Sequence, residues 1–352
     1  MKRKVLILYT ELAVYTLACL NEFCNRYQNT EVFLVRWPLN KEAPFDFSFN
    51  DSIKIFERKD YNRDGLKALA KEINPDAILC SGWMDKDYVS VCKEWNKKIP
   101  VILAMDNKWK GTLKQKFATV YSRFSILKYF RFVWVPGSAQ KSYAAKLGFP
   151  EKNIRTGFYS ADTSFFNSQY QESKIEKNKK FPHRFIFAGR YYDFKGVQEL
   201  WSAFIRFKAK QYNDWELWCL GTGDVAPIEH PSIKHFGFVQ PEEMTKLMKQ
   251  CGVFILPSRV EPWGVVVHEF ATAGFPLLLS DQVGANEAFL ENGKNGFIFP
   301  ANDISEIENS LEKIASCSDD QLILMGEKSN EMANLITPYK WADIFFELIN
   351  LK

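Results

Sequence analysis

Histidine is scarce in this sequence: there are four in 352 residues, and none before His183. His183, His230, His235 and His268 offer no pair at metal-ligand spacing, so no bound metal is expected. Cysteine occurs seven times, an odd number, and never as Cys-x-x-Cys. Most of the seven stand among apolar residues, which argues for reduced, buried thiols and a cytoplasmic setting. No apolar run is long enough to span a bilayer, and the run after Met1-Lys2-Arg3-Lys4 is too short for a signal peptide. The expectation is a soluble protein, or one peripheral at the inner face of the cell membrane.

Acids are nearly missing from one block. Residues 101–150 hold nine lysines and arginines against the single acid Asp106, in a chain whose net charge is only +4. Within that block Leu113, Phe117, Val120, Phe124 and Leu127 recur at helical spacing, with Lys108, Lys110, Lys114, Lys116, Arg123, Lys128 and Arg131 around them. A basic amphipathic helix over residues 108–131, with Trp109, Tyr121, Tyr129 and Phe130 nearby, suits an anionic bilayer. It equally suits a helix whose stripe packs into its own domain beneath solvated lysines. No reader motif accompanies the charge, so nucleic acid is not an expected partner.

At this length two domains are expected. Short apolar runs at 5–9, 31–36, 53–56, 77–80, 101–105 and 132–135 read as strands, and helical patterns such as 12–26, 66–73 and 138–147 fall between them. The second half repeats the alternation, with strands at 184–188, 215–220, 233–236, 253–256, 277–280 and 296–299 and helices at 198–208, 241–250 and 304–316. Such alternation implies parallel sheets with crossover helices, an α/β chain of two doubly wound, Rossmann-like domains whose facing strand ends form a ligand cleft. Residues 1–168 are expected as the first domain and 182–337 as the second, and the polar segment 169–181 reads as a linker.

The densest chemistry lies at Pro257-Ser258-Arg259-Val260-Glu261-Pro262-Trp263-Gly264-Val265-Val266-Val267-His268-Glu269, followed by Gly274 and Pro276. An apolar strand ends at Pro257-Ser258, and Gly264 lets a ligand approach the backbone as a helix begins. Amides at a helix N-terminus attract phosphate, whereas Glu261 and Glu269 accept hydrogen bonds from hydroxyls. A nucleotide sugar carries both groups. Three consecutive valines favour a strand by propensity, but Phe275 to Ser280 already reads as the next strand, so a helix is expected here. Upstream, Ala188-Gly189-Arg190 and Lys195-Gly196 follow a strand and place two cations where they can neutralise a departing diphosphate, Arg190 as a planar fork and Lys195 as a point charge. Gly221-Thr222-Gly223 is a weaker signal, a turn common in many folds. His268 reads either as an acid-base group or as a side chain pointing away from the ligand.

A strand ending in Pro-Ser, then Glu, seven residues, Glu, then Gly-x-Pro resembles the donor-site signature of the large retaining glycosyltransferase family four, the group 1 enzymes of GT-B fold. The Gly189-Arg190 and Lys195-Gly196 segment resembles the same family's basic phosphate-binding element. The resemblance implies Glu261, Arg190 and Lys195 as the catalytic set, with Glu269 on ribose hydroxyls and Glu261 on the transferred sugar. It implies the backbone of Gly264 and Val265 on the phosphates, the backbone near Val239 facing the base, and Trp263 among the donor-binding positions. Gly221 is carried as a weaker candidate. The last helix, 338–352, is implied to cross back to the first domain. The donor would be a nucleotide-diphosphate sugar, UDP- or GDP-linked, with no further cofactor.

The first domain departs from the family. Tyr9-Thr10-Glu11-Leu12-Ala13 replaces the usual glycine pair, and Asp106-Asn107 stands where a histidine commonly follows a strand. Asp106 either orients the sugar or the attacking hydroxyl, or caps the segment after it. Gly82, at a comparable strand end, is a candidate for the acceptor side. The activity implied is transfer of a sugar to a hydroxyl, in surface polysaccharide or glycolipid synthesis, with a glycan or lipid-linked saccharide as acceptor. Two other readings stay open: a nucleotide-sugar epimerase on the same fold, and a non-catalytic sugar-nucleotide binding partner.

Overall fold

The computed structural model describes residues 2–39, 44–210 and 213–351. The chain forms two compact units, the first of residues 1–160 and 336–352, the second of residues 161–335.

The first unit is built on seven parallel strands: β1 (Arg3–Tyr9), β2 (Thr30–Arg36), β3 (Ile53–Glu57), β4 (Ala77–Ser81), β5 (Val101–Ala104), β6 (Phe132–Trp134) and β7 (Ile154–Arg155). Their spatial order is β3-β2-β1-β4-β5-β6-β7, in register Val5 to Val32, Val5 to Ala77 and Ile78 to Val101. Val5, Ile7, Val32, Leu34, Ala77, Ile102 and Trp134 face one layer of core, and Leu6, Leu8, Val35, Ile78, Val101, Leu103 and Val133 the other. Cover on both faces is why these strands read as unbroken apolar runs.

The closing helix Pro338–Asn350 starts on Thr337, whose side chain accepts from the Lys340 amide, with Pro338 in its first turn. Trp341, Phe345 and Leu348 fall on one stripe and pack with Leu17, Leu20 and Phe23 of helix Val14–Arg26. The Trp341 indole donates to the Phe158 carbonyl at 2.6 Å, and Tyr27 stacks on Phe346 at 3.9 Å.

The basic stripe behaves otherwise than a single packed helix would. A helix Leu113–Tyr121 gives way to a 3-10 turn Ser122–Phe124 and a short helix Ile126–Tyr129. The break falls where the buried Ser122 hydroxyl meets the Thr119 and Leu147 carbonyls. Leu127 packs on the core, but Leu113, Phe117, Val120 and Phe124 are 73, 75, 69 and 63% exposed. Lys114, Lys116, Arg123 and Lys128 are exposed among them.

The second unit carries six parallel strands: β8 (Arg184–Ala188), β9 (Glu216–Leu220), β10 (Ile233–His235), β11 (Val253–Leu256), β12 (Leu277–Ser280) and β13 (Gly296–Phe299), in the order β10-β9-β8-β11-β12-β13. Residues 169–179, expected as linker, are instead the body of helix Thr163–Lys179, capped by the Asp162 side chain. Its composition is polar, yet Phe166, Tyr170, Ser173 and Lys177 lie three and four apart and form one buried stripe. Lys177 is buried with its ammonium 3.6 Å from the Phe275 ring centroid, and burial lowers its pKa to about 7.

All seven cysteines are free, six of them buried. Among the described residues no helix is long and apolar enough to cross a membrane, and no three His, Cys, Asp or Glu side chains are grouped to hold a metal.

Candidate functional site

In an open parallel sheet, ligands bind beyond the carboxyl ends of the strands where the winding reverses. In the second unit that point lies between β8 and β11, which are neighbours although three strands apart in sequence. The loop after β8 bears Arg190 and Lys195, and the loop after β11 bears Glu261 and Gly264. The two motifs that stood about seventy residues apart thus emerge side by side.

They also touch. Lys195, at the end of the 3-10 turn Asp193–Lys195, donates to Glu261 Oε2 at 2.5 Å, and the Ser258 hydroxyl lies 3.3 Å from the same oxygen. Both charged side chains are largely buried, Lys195 at 19% and Glu261 at 11% exposure. Gly196 has φ +72°, and a Cβ there would stand 2.3 Å from the Pro257 carbonyl oxygen, so only glycine lets the loops meet. Arg259 completes the junction, bonding Asp193 at 2.7 Å and Glu199 at 2.9 Å. Arg190 is half-buried directly after Gly189, with its guanidinium 5.9 Å from the Tyr192 ring centroid.

The helix expected after Gly264 is present as Val265–Thr272. Gly264 has φ +93°, which turns the chain from the Glu261 loop into the first helical residues. The helix buries apolar residues nearly all round, so packing overrides the low propensity of its three valines. In its first turn the Val267 amide donates to the Gly264 carbonyl at 3.0 Å, and the Val265 and Val266 amides before it come too early for the i−4 ladder, the arrangement that suits an anion. Glu261 and Trp263 are held from the far side: their carbonyls accept from the amides of Gly284 and Ala285. The Trp263 indole is 3% exposed and packs edge-on to Phe289, so this side chain supports the loop from beneath rather than presenting a ring to a ligand.

Glu269 lies one turn along. Burial first, and then the Asp162 carboxylate, push its pKa up to about 7. A carboxyl whose pKa is higher in the native state than in the unfolded chain contributes stability that is complete below the unfolded value near 4.5 and is lost as pH rises through 7. Glu269→Gln is therefore expected to raise stability by about 2 kcal/mol at pH 8 and to match the parent at pH 4, read as melting temperature against pH. A variant that tracked the parent at every pH would show that the carboxyl is not held in a disfavoured state.

His268 is no open acid or base. It is fully buried, its Nδ1 accepts from the Ala161 amide at 2.9 Å, and its Nε2 donates to the Ala333 carbonyl at 3.0 Å. Gly221, a candidate ligand contact, has a packing explanation: with φ +135°, its Cβ would fall 1.8 Å from the Gly189 carbonyl oxygen. Gly223 is crowded in the same way by Tyr191. Val239 is half-buried in the segment after β10, past Gly237, whose carbonyl accepts from the Gly221 amide.

The first unit has its own switch point, between β1 and β4. Thr10 and Ser81, at the ends of those strands, are joined by their hydroxyls at 3.0 Å. Gly82 follows with φ +84° and open space where a side chain would be. Asp106, after β5, is no helix cap: the next helix starts at Leu113 on the Thr112 side chain. Instead Tyr159 donates to Asp106 at 3.3 Å, and burial together with that carboxylate holds the phenol well above its usual pKa. Sequence reasoning missed Tyr159, Arg259 and Ser258. Tyr159 and Arg259 meet partners more than fifty residues away, and Ser258 reads only as a strand end.

Residues 168–334 match the family described as glycosyl transferases group 1. Over 176 residues the chain is 25% identical to an uncharacterized glycosyltransferase of Methanocaldococcus jannaschii, a match covering 47% of this chain and 43% of that protein. The chain thus matches less than half the length of that relative. Solved structures resemble the whole fold. The Anabaena protein HepE, in complex with UDP and glucose, superposes with a TM-score of 0.70 at 14% identity, over 98% of each chain. Sucrose-phosphate synthase from Thermosynechococcus elongatus gives 0.73 at 14% identity, over 99% of this chain and 98% of that one. The architecture is GT-B, and the second unit is similar in sequence to the group 1 glycosyltransferases.

Proposed function

We propose that this protein is a retaining glycosyltransferase of family four that moves a sugar from a nucleotide-diphosphate donor to a hydroxyl. The observation that carries the reading is the meeting of Lys195 and Glu261 at one switch point, beside a helix N-terminus and on the loop that also bears Arg190. Cations and amides there suit a diphosphate, and the carboxylates of Glu261 and Glu269 suit hydroxyls of the transferred sugar and of ribose. HepE was solved with UDP and glucose, which makes UDP-linked sugars the first donors to test, with GDP-linked sugars next.

In the proposed reaction the bond from the anomeric carbon to the diphosphate oxygen breaks as the acceptor oxygen bonds to the same face of that carbon. The acceptor proton passes to the departing phosphate oxygen. Arg190 and Lys195 stabilise the charge that grows on the diphosphate, and Glu261 fixes the sugar, so the chain contributes position and electrostatics rather than a nucleophile. Asp106 and Gly82 of the first unit are assigned to the acceptor side. A melting-temperature panel of nucleoside diphosphates and their sugars tests donor choice, because ligands that bind only the native state raise the midpoint. Transfer with retained anomeric configuration supports the reading. An isomerised sugar nucleotide from donor alone would replace it with an epimerase, and saturable binding without transfer or donor hydrolysis with a binding partner.

The acceptor is read as a glycan or lipid-linked saccharide of surface polysaccharide or glycolipid synthesis. The exposed stripe Leu113, Phe117, Val120 and Phe124, framed by lysines and arginines, suits the inner, anionic leaflet, since apolar side chains enter the interface while cations meet lipid phosphates. Flotation with vesicles of phosphatidylglycerol and phosphatidylcholine is expected to carry the protein upward at low salt, and phosphatidylcholine alone is not. Phe117→Glu with Val120→Glu is expected to lower the bound fraction at least about tenfold. Equal flotation of the double variant would remove this surface from membrane contact.

A further inference from the structure

The chain passes from the first unit to the second between Ser160 and Ala161, and returns between Leu335 and Ile336. Both passages lie next to the two backbone groups that hold His268. The Ala161 amide is the first of the second unit, and the Ala333 carbonyl stands two residues before its end. One imidazole ring, carried by the helix that starts at Gly264 and also bears Glu269, therefore bridges the incoming and the outgoing chain.

Other contacts stiffen this bridge. The ring stacks on Phe289 with centroids 4.4 Å apart and planes at 18°. Asn330 donates to the Thr272 carbonyl at the end of the same helix. Asn167, after the first passage, exchanges side-chain hydrogen bonds with Asn330 and Asn334, before the second. A Cβ on Gly326 would meet the Gly274 carbonyl oxygen at 2.2 Å, so helix Asp319–Ala333 lies directly against the end of the donor helix. The helix carrying the candidate donor contacts and both chain passages form one hydrogen-bonded body.

We propose that His268 is a positioning residue that transmits ligand binding at the start of helix Val265–Thr272 to both passages between the units. This rests on the donor-site reading given above. Relative movement of two domains is absorbed by a few residues where the chain passes between them. A ligand changes that movement only if it interacts differently with the states involved, which requires a physical link from its site to the hinge. Nδ1 as acceptor and Nε2 as donor supply that link in a single rigid ring. An aliphatic side chain of similar volume fills the space and breaks it.

The test compares the full-length parent with His268→Leu, His268→Asn and His268→Gln, using UDP as the probe. Hydrogen exchange is read at residues 158–164 and 332–338, together with UDP affinity and the kcat and KM of transfer. In the parent, UDP is expected to slow exchange in both segments. In the Leu variant UDP affinity is expected to stay within about threefold while protection of both segments is lost and kcat falls at least about tenfold. The Asn variant, whose amide oxygen can accept from Ala161 but whose side chain is too short for Ala333, is expected to restore protection at 158–164 alone. The Gln variant, whose amide nitrogen stands where Nε2 does, is expected to restore protection at 332–338 alone. Parent exchange unchanged by saturating UDP, or a Leu variant that keeps the parent's protection and kcat, would overturn the proposal. So would a proportional loss of affinity, kcat and melting temperature in all three variants, which is what simple loosening of a core produces. A parent that does not bind UDP or any other nucleoside diphosphate overturns the donor reading itself, and a parent that shows the protection but transfers no sugar overturns the reaction while leaving the linkage standing.

Discussion

Glu261→Gln is expected to lower the turnover number at least about a hundredfold while moving the melting temperature by only about a few degrees. Glutamine keeps the shape and one acceptor oxygen, so Lys195 and Ser258 retain a partner, but the negative charge proposed to face the sugar is gone. If catalysis depends on a preorganised charge, turnover falls with little change in stability. Glu261→Ala confounds the two, because it removes the acceptor oxygen as well as the charge and leaves the Lys195 ammonium, 19% exposed, with neither. Exposed pairs contribute close to nothing and fully buried ones cost several kcal/mol to break, so this partly buried pair is expected to cost about 1–3 kcal/mol. Initial rates and melting curves of both variants separate charge from scaffold. A glutamine variant with turnover near that of the parent would take Glu261 out of the chemistry.

The second large effect is on stability. Gly221→Ala is expected to cost about 3 kcal/mol or more and to lower the melting temperature by roughly 6–12 °C. The backbone there has φ +135°, and the new Cβ would sit 1.8 Å from the Gly189 carbonyl oxygen, so backbone rather than a flexible side chain has to move. Gly189 leads straight into Arg190, and the displacement is expected to reduce transfer as well. Gly237→Ala is the matched control: φ is +70° but the space is open, so only conformational strain of about 1 kcal/mol is expected. Equal melting of the two variants would show that close packing of these loops is not what requires glycine at 221.

Much of this fold is legible in the sequence, because parallel strands covered on both faces appear as short, continuous apolar runs. Every strand of the second unit falls within a few residues of its expected place. Strand Ile154–Arg155 does not announce itself, since two residues carry no period. Helix Thr163–Lys179 is hidden by composition: its buried stripe includes Ser173 and Lys177, which a reading by polarity assigns to solvent. The basic segment around Leu113 shows the reverse. Its periodicity is real, but period alone does not say whether a stripe faces a core or the outside.

The same division runs through the candidate site. The sequence by itself determined the chemistry of the loops and the alternating pattern of the chain, because residue identity and spacing along one strand or helix are local properties. It named Arg190, Lys195, Glu261, Gly264 and Glu269 on that basis. Only the tertiary structure decided that Lys195 meets Glu261, that Trp263 lies beneath its loop, and that His268 holds Ala161 and Ala333. Those outcomes depend on which strands become neighbours in the sheet and on contacts over tens to more than a hundred residues, and packing settles them after local pattern has been spent.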